Sequence, residues 1–208
     1  MKNSYCTVYI VRHGQTEWNV KRLIQGQKNS QLTQLGIEQA SAAALKLQDV
    51  VFDEVYSSDL DRASLTASII AKEKKLAVKL TELLREKNYG EYEGRAYDVF
   101  QSELKEYTDE FDSLPQDKKW DFKFPTIETD GEVITRVIRF LREVAFANPG
   151  KSVLIVTHAG VIGNLLIHLG VWSYADQHSK KLNNAGFLKI ESDGIDFFVK
   201  DADGIDIL

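Results

Sequence analysis

Tyr9 to Asn19 reads YIVRHGQTEWN, and Leu154 to Gly160 reads LIVTHAG. In both stretches a run of apolar, largely β-branched residues stops at a histidine that is followed by small residues. Extended backwards, the first becomes TVYIV from Thr7 to Val11, a nearly continuous apolar run of the kind expected for a central strand covered on both faces. In open α/β sheets ligands bind in the crevice outside the carboxyl ends of the strands. Two histidines delivered there by separate strands, His13 and His158, can therefore meet one ligand. Gly14, Ala159 and Gly160 are small enough for backbone N–H groups to approach an anion at a helix start.

A third strand, Glu54 to Ser57, belongs to EVYSS and runs into DLDRAS, where Asp59 or Asp61 opens a helix to about Lys72. Arg62 then lies on the first turn of that helix. Arg12 and Arg62 supply permanently charged planar forks suited to phosphate oxygens.

Around these segments the spacing predicts a helix capped by Thr33 and ending at Leu47, with Leu35, Gln39, Ala42, Ala43 and Leu47 near one stripe. It further predicts a weakly alternating strand at Leu76 to Leu80 and a helix from Gly131 to Phe146. Strand Val153 to Thr157 and helix Val161 to Leu169 follow. Ala185 to Ile190 and Ile195 to Val199 form a closing hairpin about the Ser192-Asp193-Gly194 turn. Strands alternating with helices give a layered α/β fold, a mostly parallel sheet with antiparallel strands at one edge. Between Ala96 and Asp130 the pattern weakens to a polar helix near Tyr97 to Tyr107 and then DSLPQDKKWDFKFPTIETD, which reads as an inserted lid or cap.

The 208 residues, 43% hydrophobic and 27% charged with three prolines, describe a chain able to bury a large core, which excludes disordered and low-complexity classes. One domain from 1 to 208, carrying the insertion at about 96–130, fits the length. A net charge of −5 supplies no overall positive field for nucleic acid or an anionic membrane, so any anion site is local. The single cysteine, Cys6, leaves no disulfide framework or multi-thiolate zinc site and fits the cytoplasm, as does the lack of an export signal. Ser152 to Ala175 contains no Asp, Glu, Lys or Arg, yet its change from SVLIVT to HAGVIG to NLLIHLG reads as strand, turn and buried helix rather than a membrane span.

These blocks resemble the histidine phosphatase superfamily, also called phosphoglycerate mutase-like. The resemblance rests on RHGQTEWN (Arg12 to Asn19), QGQ (Gln25 to Gln27), LTQLGIEQA (Leu32 to Ala40), SSDLDRASLTA (Ser57 to Ala67), LREKNYGEYEG (Leu84 to Gly94), GEVITRV (Gly131 to Val137) and VTHAG (Val156 to Gly160), in that order. It implies a three-layer α/β/α fold. It also implies that His13 is a nucleophile forming a phosphohistidine, and that Arg12, Arg62 and His158 hold the phosphoryl oxygens, with no metal and no cofactor. Asn19, Gln25, Gly26, Ala159 and Gly160 match positions at the bound phosphate or substrate. Some members place an Asp directly after the second histidine as the acid. Here that position is Ala159, which leaves Glu86 in LREKNYG as general acid, its pKa expected to rise beside a phosphate anion.

The activity implied is hydrolysis of a small phosphomonoester. The rival within the same fold is 2,3-bisphosphoglycerate-dependent phosphoglycerate mutase; the resemblance gives its dedicated members a basic, proline-rich insertion, an arrangement that the 96–130 segment lacks. A non-catalytic phospho-ligand-binding module is the remaining alternative, opposed by the presence of Arg12, His13, Arg62, Glu86 and His158 together. Oligomeric state stays open, a homodimer included. His168 reads as an ordinary helix residue, Lys118, Lys119 and Lys123 as a solvated charge run, and Glu132 and Arg136 as structural. Trp120, Phe122 and Phe124 fit core packing better than a substrate-facing wall.

Overall fold

The computed structural model describes residues 5–72 and 74–207. Six strands form one sheet in the order β3-β2-β4-β1-β5-β6: β1 (Cys6–Arg12), β2 (Glu54–Ser58), β3 (Val78–Thr81), β4 (Ser152–Thr157), β5 (Leu182–Ser192) and β6 (Phe197–Ile205). The first four in sequence are mutually parallel; β5 runs antiparallel beside β1, and β6 antiparallel beside β5. This is the α/β architecture with a parallel centre and an antiparallel edge.

Helices cover both faces. Val8 and Ile10 of β1 and Val153 and Ile155 of β4 pack under α7 (Asp130–Ala147) and α8 (Ala159–His168). The alternate residues, Tyr9, Val11, Leu154 and Val156, pack against α2 (Gln34–Lys46) and α3 (Asp61–Lys72). Side chains alternate across a strand, so a strand buried on both sides must be apolar throughout, as β1 and β4 are.

Several boundaries and faces depart from expectation. In α2 the buried residues are Gly36, Ala40 and Ala43, while Leu35 is exposed. The cause is close approach: a Cβ on Gly36 would lie 2.1 Å from the Gln15 carbonyl oxygen, and one on Gly14 would lie 2.3 Å from that of Gly36. The helix thus abuts the chain leaving β1 through its small residues. The strand expected at Leu76 to Leu80 is β3, two residues later at its start, and the hairpin strands extend beyond both expected ranges. The low-charge stretch from Ser152 divides into β4 and α8, and among the described residues no helix is long and apolar enough to cross a membrane.

The 96–130 segment holds three short helices, α4 (Tyr97–Glu103), α5 (Lys105–Ser113) and α6 (Gln116–Lys119), instead of one helix and a loop. The helix expected to run on to Tyr107 breaks at Leu104, which is buried beside Tyr92 and Ile127. A four-residue helix, α1 (Glu17–Val20), completes the set.

Candidate active site

Register does most of the positioning. Arg12 pairs with Thr157 across the parallel β1–β4 ladder, so the next residue on each strand is a histidine. The His13 N–H donates to the Thr157 carbonyl at 3.0 Å, carrying the ladder one step further. The two imidazoles consequently lie side by side, ring centroids 5.2 Å apart, and both are buried.

His13 Nδ1 lies 2.7 Å from the Gly14 carbonyl oxygen. A carbonyl can only accept, so Nδ1 carries the proton and Nε2 is left with its lone pair. Burial, then the positive charges of Arg62 and Arg12, hold the His13 pKa well below the usual imidazole value. For His158 burial and Arg62 act in the same direction. Neutral imidazoles beside two guanidinium groups make a site that can offer a nitrogen nucleophile and bind an anion at once.

Arg62 comes from the first turn of α3. Its Nη1 donates to the Lys28 carbonyl at 2.9 Å and its Nη2 to the Gly26 carbonyl at 2.7 Å. Burial lowers its pKa to about 10, with Glu86 and Glu93 opposing, and it stays charged at neutral pH. Arg12 donates through Nη1 to the Leu182 carbonyl at 2.5 Å. The Nε of each arginine and both ring nitrogens of His158 are buried without a hydrogen-bond partner among the described residues. Orphaned buried polar atoms are rare and costly; the Nε–H of each arginine and the single N–H of a neutral His158 are three buried donors left to meet acceptor oxygens.

Glu86 follows the 3₁₀ turn Glu82–Leu84 and is buried. Its carboxylate accepts from the Gly160 N–H at 3.1 Å and from the Lys87 N–H at 2.9 Å. Arg136 holds the same segment by donating to the Leu83 and Glu86 carbonyls at 2.8 and 3.2 Å, and it is braced by Glu128 at 2.9 Å.

The smaller expected residues hold different posts. The N–H groups of Gly14 and Gly160 do not stand open for an anion: Gly14 donates to Thr66 Oγ1 at 3.1 Å and Gly160 to Glu86. Asn19 closes the capping box of α1, its side-chain oxygen accepting from the Thr16 N–H at 3.0 Å. Gln25 accepts from the Thr16 hydroxyl at 3.0 Å, and Gly26 turns its carbonyl to Arg62. Of these three only Gly26 touches the cluster, through Arg62, while Asn19 and Gln25 are both tied to Thr16. Ala159 opens α8 and, with Gly160 and Arg12, borders a cavity of about 650 Å³.

A model of the histidine phosphatase superfamily (branch 1) matches residues 8–202. The chain belongs to that superfamily. A probable phosphoglycerate mutase of Cronobacter sakazakii is 33% identical over 186 residues, covering 88% of this chain and 84% of the relative. Among solved structures, YhfR of Bacillus stearothermophilus superposes with a TM-score of 0.83 at 29% identity, covering 93% of this chain and 95% of that one. A phosphoserine phosphatase of Entamoeba histolytica, solved with 3-phosphoglyceric acid, gives 0.78 at 26% identity over 95% and 96%.

Within this superfamily member, sequence reading missed the supports of the cluster. Thr66, fully buried, accepts from Gly14 and donates to the Arg62 carbonyl at 2.7 Å, tying the β1 exit to α3. Asn184 donates to the His13 carbonyl at 3.1 Å. Buried Glu93 accepts from the Gln27 N–H at 2.8 Å and so fixes the loop that carries Gly26. Thr66 sits one helical turn after Arg62, a spacing that marks it; Asn184 and Leu182 carry no signal beyond lying on the strand beside β1. His168 is the ordinary helix residue expected, exposed at the end of α8 with its ring edge-on to Trp120. Of the three lysines expected to be solvated, Lys119 is not: it is buried, its ammonium 4.6 Å from the Phe111 ring centroid.

Proposed function

We propose that this chain is a phosphomonoesterase acting on a small phosphorylated metabolite through a covalent phosphohistidine on His13, with no step that calls for a metal. One observation carries the reading: the strand-end imidazoles, 5.2 Å apart, both feel the charges of Arg12 and Arg62, and nitrogens of Arg12, Arg62 and His158 are buried there without a partner among the described residues. A phosphoryl group offers its oxygens to those donors, and the charge that gathers on them in the transition state is held by the two guanidinium groups.

In the first step His13 Nε2 attacks phosphorus and the phosphorus–oxygen bond to the leaving alcohol breaks. Glu86, protonated for this step, gives its proton to that oxygen. In the second step water attacks the phosphohistidine, loses a proton to the Glu86 carboxylate, and the phosphorus–nitrogen bond breaks to release inorganic phosphate. The histidine and the carboxyl return to their starting states.

The test is to mix the protein with a phosphomonoester, quench in alkali, which phosphohistidine survives, and map the adduct by mass spectrometry. A phosphoryl group on the peptide containing His13, absent from His13→Ala, supports the mechanism. Turnover retained by His13→Ala overturns it.

Phosphoglycerate mutase activity is the second reading, favoured by the name of the Cronobacter relative. It passes through the same phosphoenzyme. Incubation of 3-phosphoglycerate with a trace of 2,3-bisphosphoglycerate separates the two, isomerised product marking the mutase and free phosphate the phosphatase.

A further inference from the structure

The cavity bordered by Arg12, Ala159 and Gly160 runs from Arg12, the one member of the arginine and histidine cluster that lines it, to the 96–130 segment. At about 650 Å³ it falls within the range that holds a drug-sized ligand, well beyond what a three-carbon phosphate needs. Its wall is aromatic: Tyr89, Tyr97, Phe100, Phe111, Phe124 and Trp172 all contribute. The rings brace one another, Phe100 against Tyr89 at 5.8 Å and Tyr97 at 6.1 Å, and Phe111 against Phe124 at 5.6 Å.

The lysines on this wall already face carboxylates, and a further carboxylate, Asp112, lines it paired with no cation among the described residues. Lys87 donates to Asp130 at 2.8 Å, and Asp130 accepts a second bond from Asn164 at 3.0 Å. Asn164 in turn accepts from Gln177 at 3.1 Å, and Lys180 lies 3.7 Å from Asp176. Once Arg12 is occupied by a phosphoryl group, a second anionic group would meet aromatic faces and committed cations. Burying such a group without a free partner is costly, whereas a flat uncharged ring gains area against these walls.

We infer that this cavity seats the alcohol portion of the substrate and selects phosphomonoesters whose leaving alcohol is uncharged and carries a ring. The inference rests on the phosphatase reading, and it sets a substrate apart from phosphoglycerates, whose carboxylate has no free cation to meet here.

Phosphonates test it without turnover, because their carbon–phosphorus bond resists this chemistry. Titrated calorimetrically into the wild-type chain, 3-phenylpropylphosphonate should bind at least about 10-fold tighter than propylphosphonate, the gain expected from burying a ring. 3-Carboxypropylphosphonate should bind more weakly than propylphosphonate. Equal affinities for the phenyl and propyl compounds, or tightest binding of the carboxylate, overturn the inference.

Tyr97→Ala, with Phe111→Leu as the second variant, should narrow the phenyl-to-propyl ratio by about 3-fold or more. An unchanged ratio in both places the ring elsewhere and overturns the assignment to this cavity. Asp130→Asn, which leaves Lys87 without its carboxylate, should tighten the carboxypropyl compound relative to propyl by about 3- to 10-fold; no change overturns the charge argument. Hydrolysis of p-nitrophenyl phosphate is measured alongside. If the phenyl preference holds while that ester is untouched, the phosphatase reading fails and the cavity assignment stands.

Discussion

The strand ends and the 96–130 segment are built by different means. At the strand ends, His13 and His158 follow residues locked in one parallel ladder, above strands whose side chains are almost wholly buried. The 96–130 segment has few buried side chains; Leu104, Lys119 and Ile127 are among them, and ring contacts such as Phe111 and Trp120 on Tyr174 join it to the rest. The ladder fixes the positions of both histidines, as the proposed phosphoryl transfer requires. The aromatic segment fixes a surface, and a surface can be relined without moving the histidines. Arg62→Ala probes the first region hardest: it removes a charge from the proposed transition state and two bonds to the Gly26 and Lys28 carbonyls. Turnover should fall about 10²- to 10³-fold, the loss typical of one such donor, while circular dichroism stays native. A loss below about 10-fold would mean that the ladder does not place the phosphate where these donors converge.

Gly160→Ala strikes the junction of the two regions. The added Cβ would stand 2.5 Å from Glu86 Oε1, and the carboxylate that accepts from the Gly160 N–H must move. If Glu86 delivers the proton to the leaving oxygen, alkyl phosphates should slow by about 10- to 100-fold. p-Nitrophenyl phosphate, whose leaving group needs little protonation, should slow far less. Comparing the two esters in steady state checks this, and equal slowing would remove Glu86 from the acid role.

What could be read in advance follows the same division. The apolar run of β1 and the LIVTHAG block announce strands buried on both faces and ending at histidines, because a strand between two helical layers has no freedom to be polar. Arg62 could be placed because a helix start has a recognisable chemistry. The carbonyls that hold Arg12 and Arg62 could not, since backbone carries no sequence signature and Leu182 lies 170 residues from Arg12. In the 96–130 segment Tyr97, Phe100, Leu104, Tyr107, Phe111 and Leu114 recur every three or four positions, as one helical face would, but the spacing does not say which aromatic residues meet the core and which face a cavity. Phe124 could therefore line a cavity while Trp120 packs against the core.

Acid should separate the regions by stability. Unfolded imidazoles take up protons from about pH 6.5 downward, whereas burial and Arg62 hold the folded His13 and His158 well below that value. Below about pH 6.5 the unfolded chain therefore binds more protons than the folded one, and stability falls as pH falls until the depressed folded values are reached. Each of the two contributes a slope of up to about 1.4 kcal/mol per pH unit, and the 96–130 segment, which holds no histidine, contributes none of this kind. Urea midpoints in phosphate-free buffer measure the trend, and His158→Gln should flatten it. A midpoint that stays level from about pH 7 to about pH 5.5 would contradict the neutral, buried state of both rings.

The smallest effect separates neighbours that composition treats alike. Lys118 and Lys119 stand together in QDKKW, yet Lys118 is exposed with Asp117 at 3.8 Å, and Lys119 is buried against Phe111 and Tyr174. An ammonium over a ring face contributes about 0.5–1 kcal/mol, and its buried stem adds packing, so Lys119→Ala should cost about 1–2 kcal/mol in urea unfolding. Lys118→Ala should stay within about 0.5 kcal/mol of wild type, as exposed pairs do. Lys119 donates only a long 3.3 Å bond to the Asp112 carbonyl, so the rings must supply most of what holds it. Lys119→Met, which keeps the stem and loses the charge, should therefore fall between the two alanine variants. Were Lys119→Met as damaging as Lys119→Ala, the charge alone would be fastening α6 to the aromatic wall, and the wall would be less free to change its lining than the strand ends are to keep theirs.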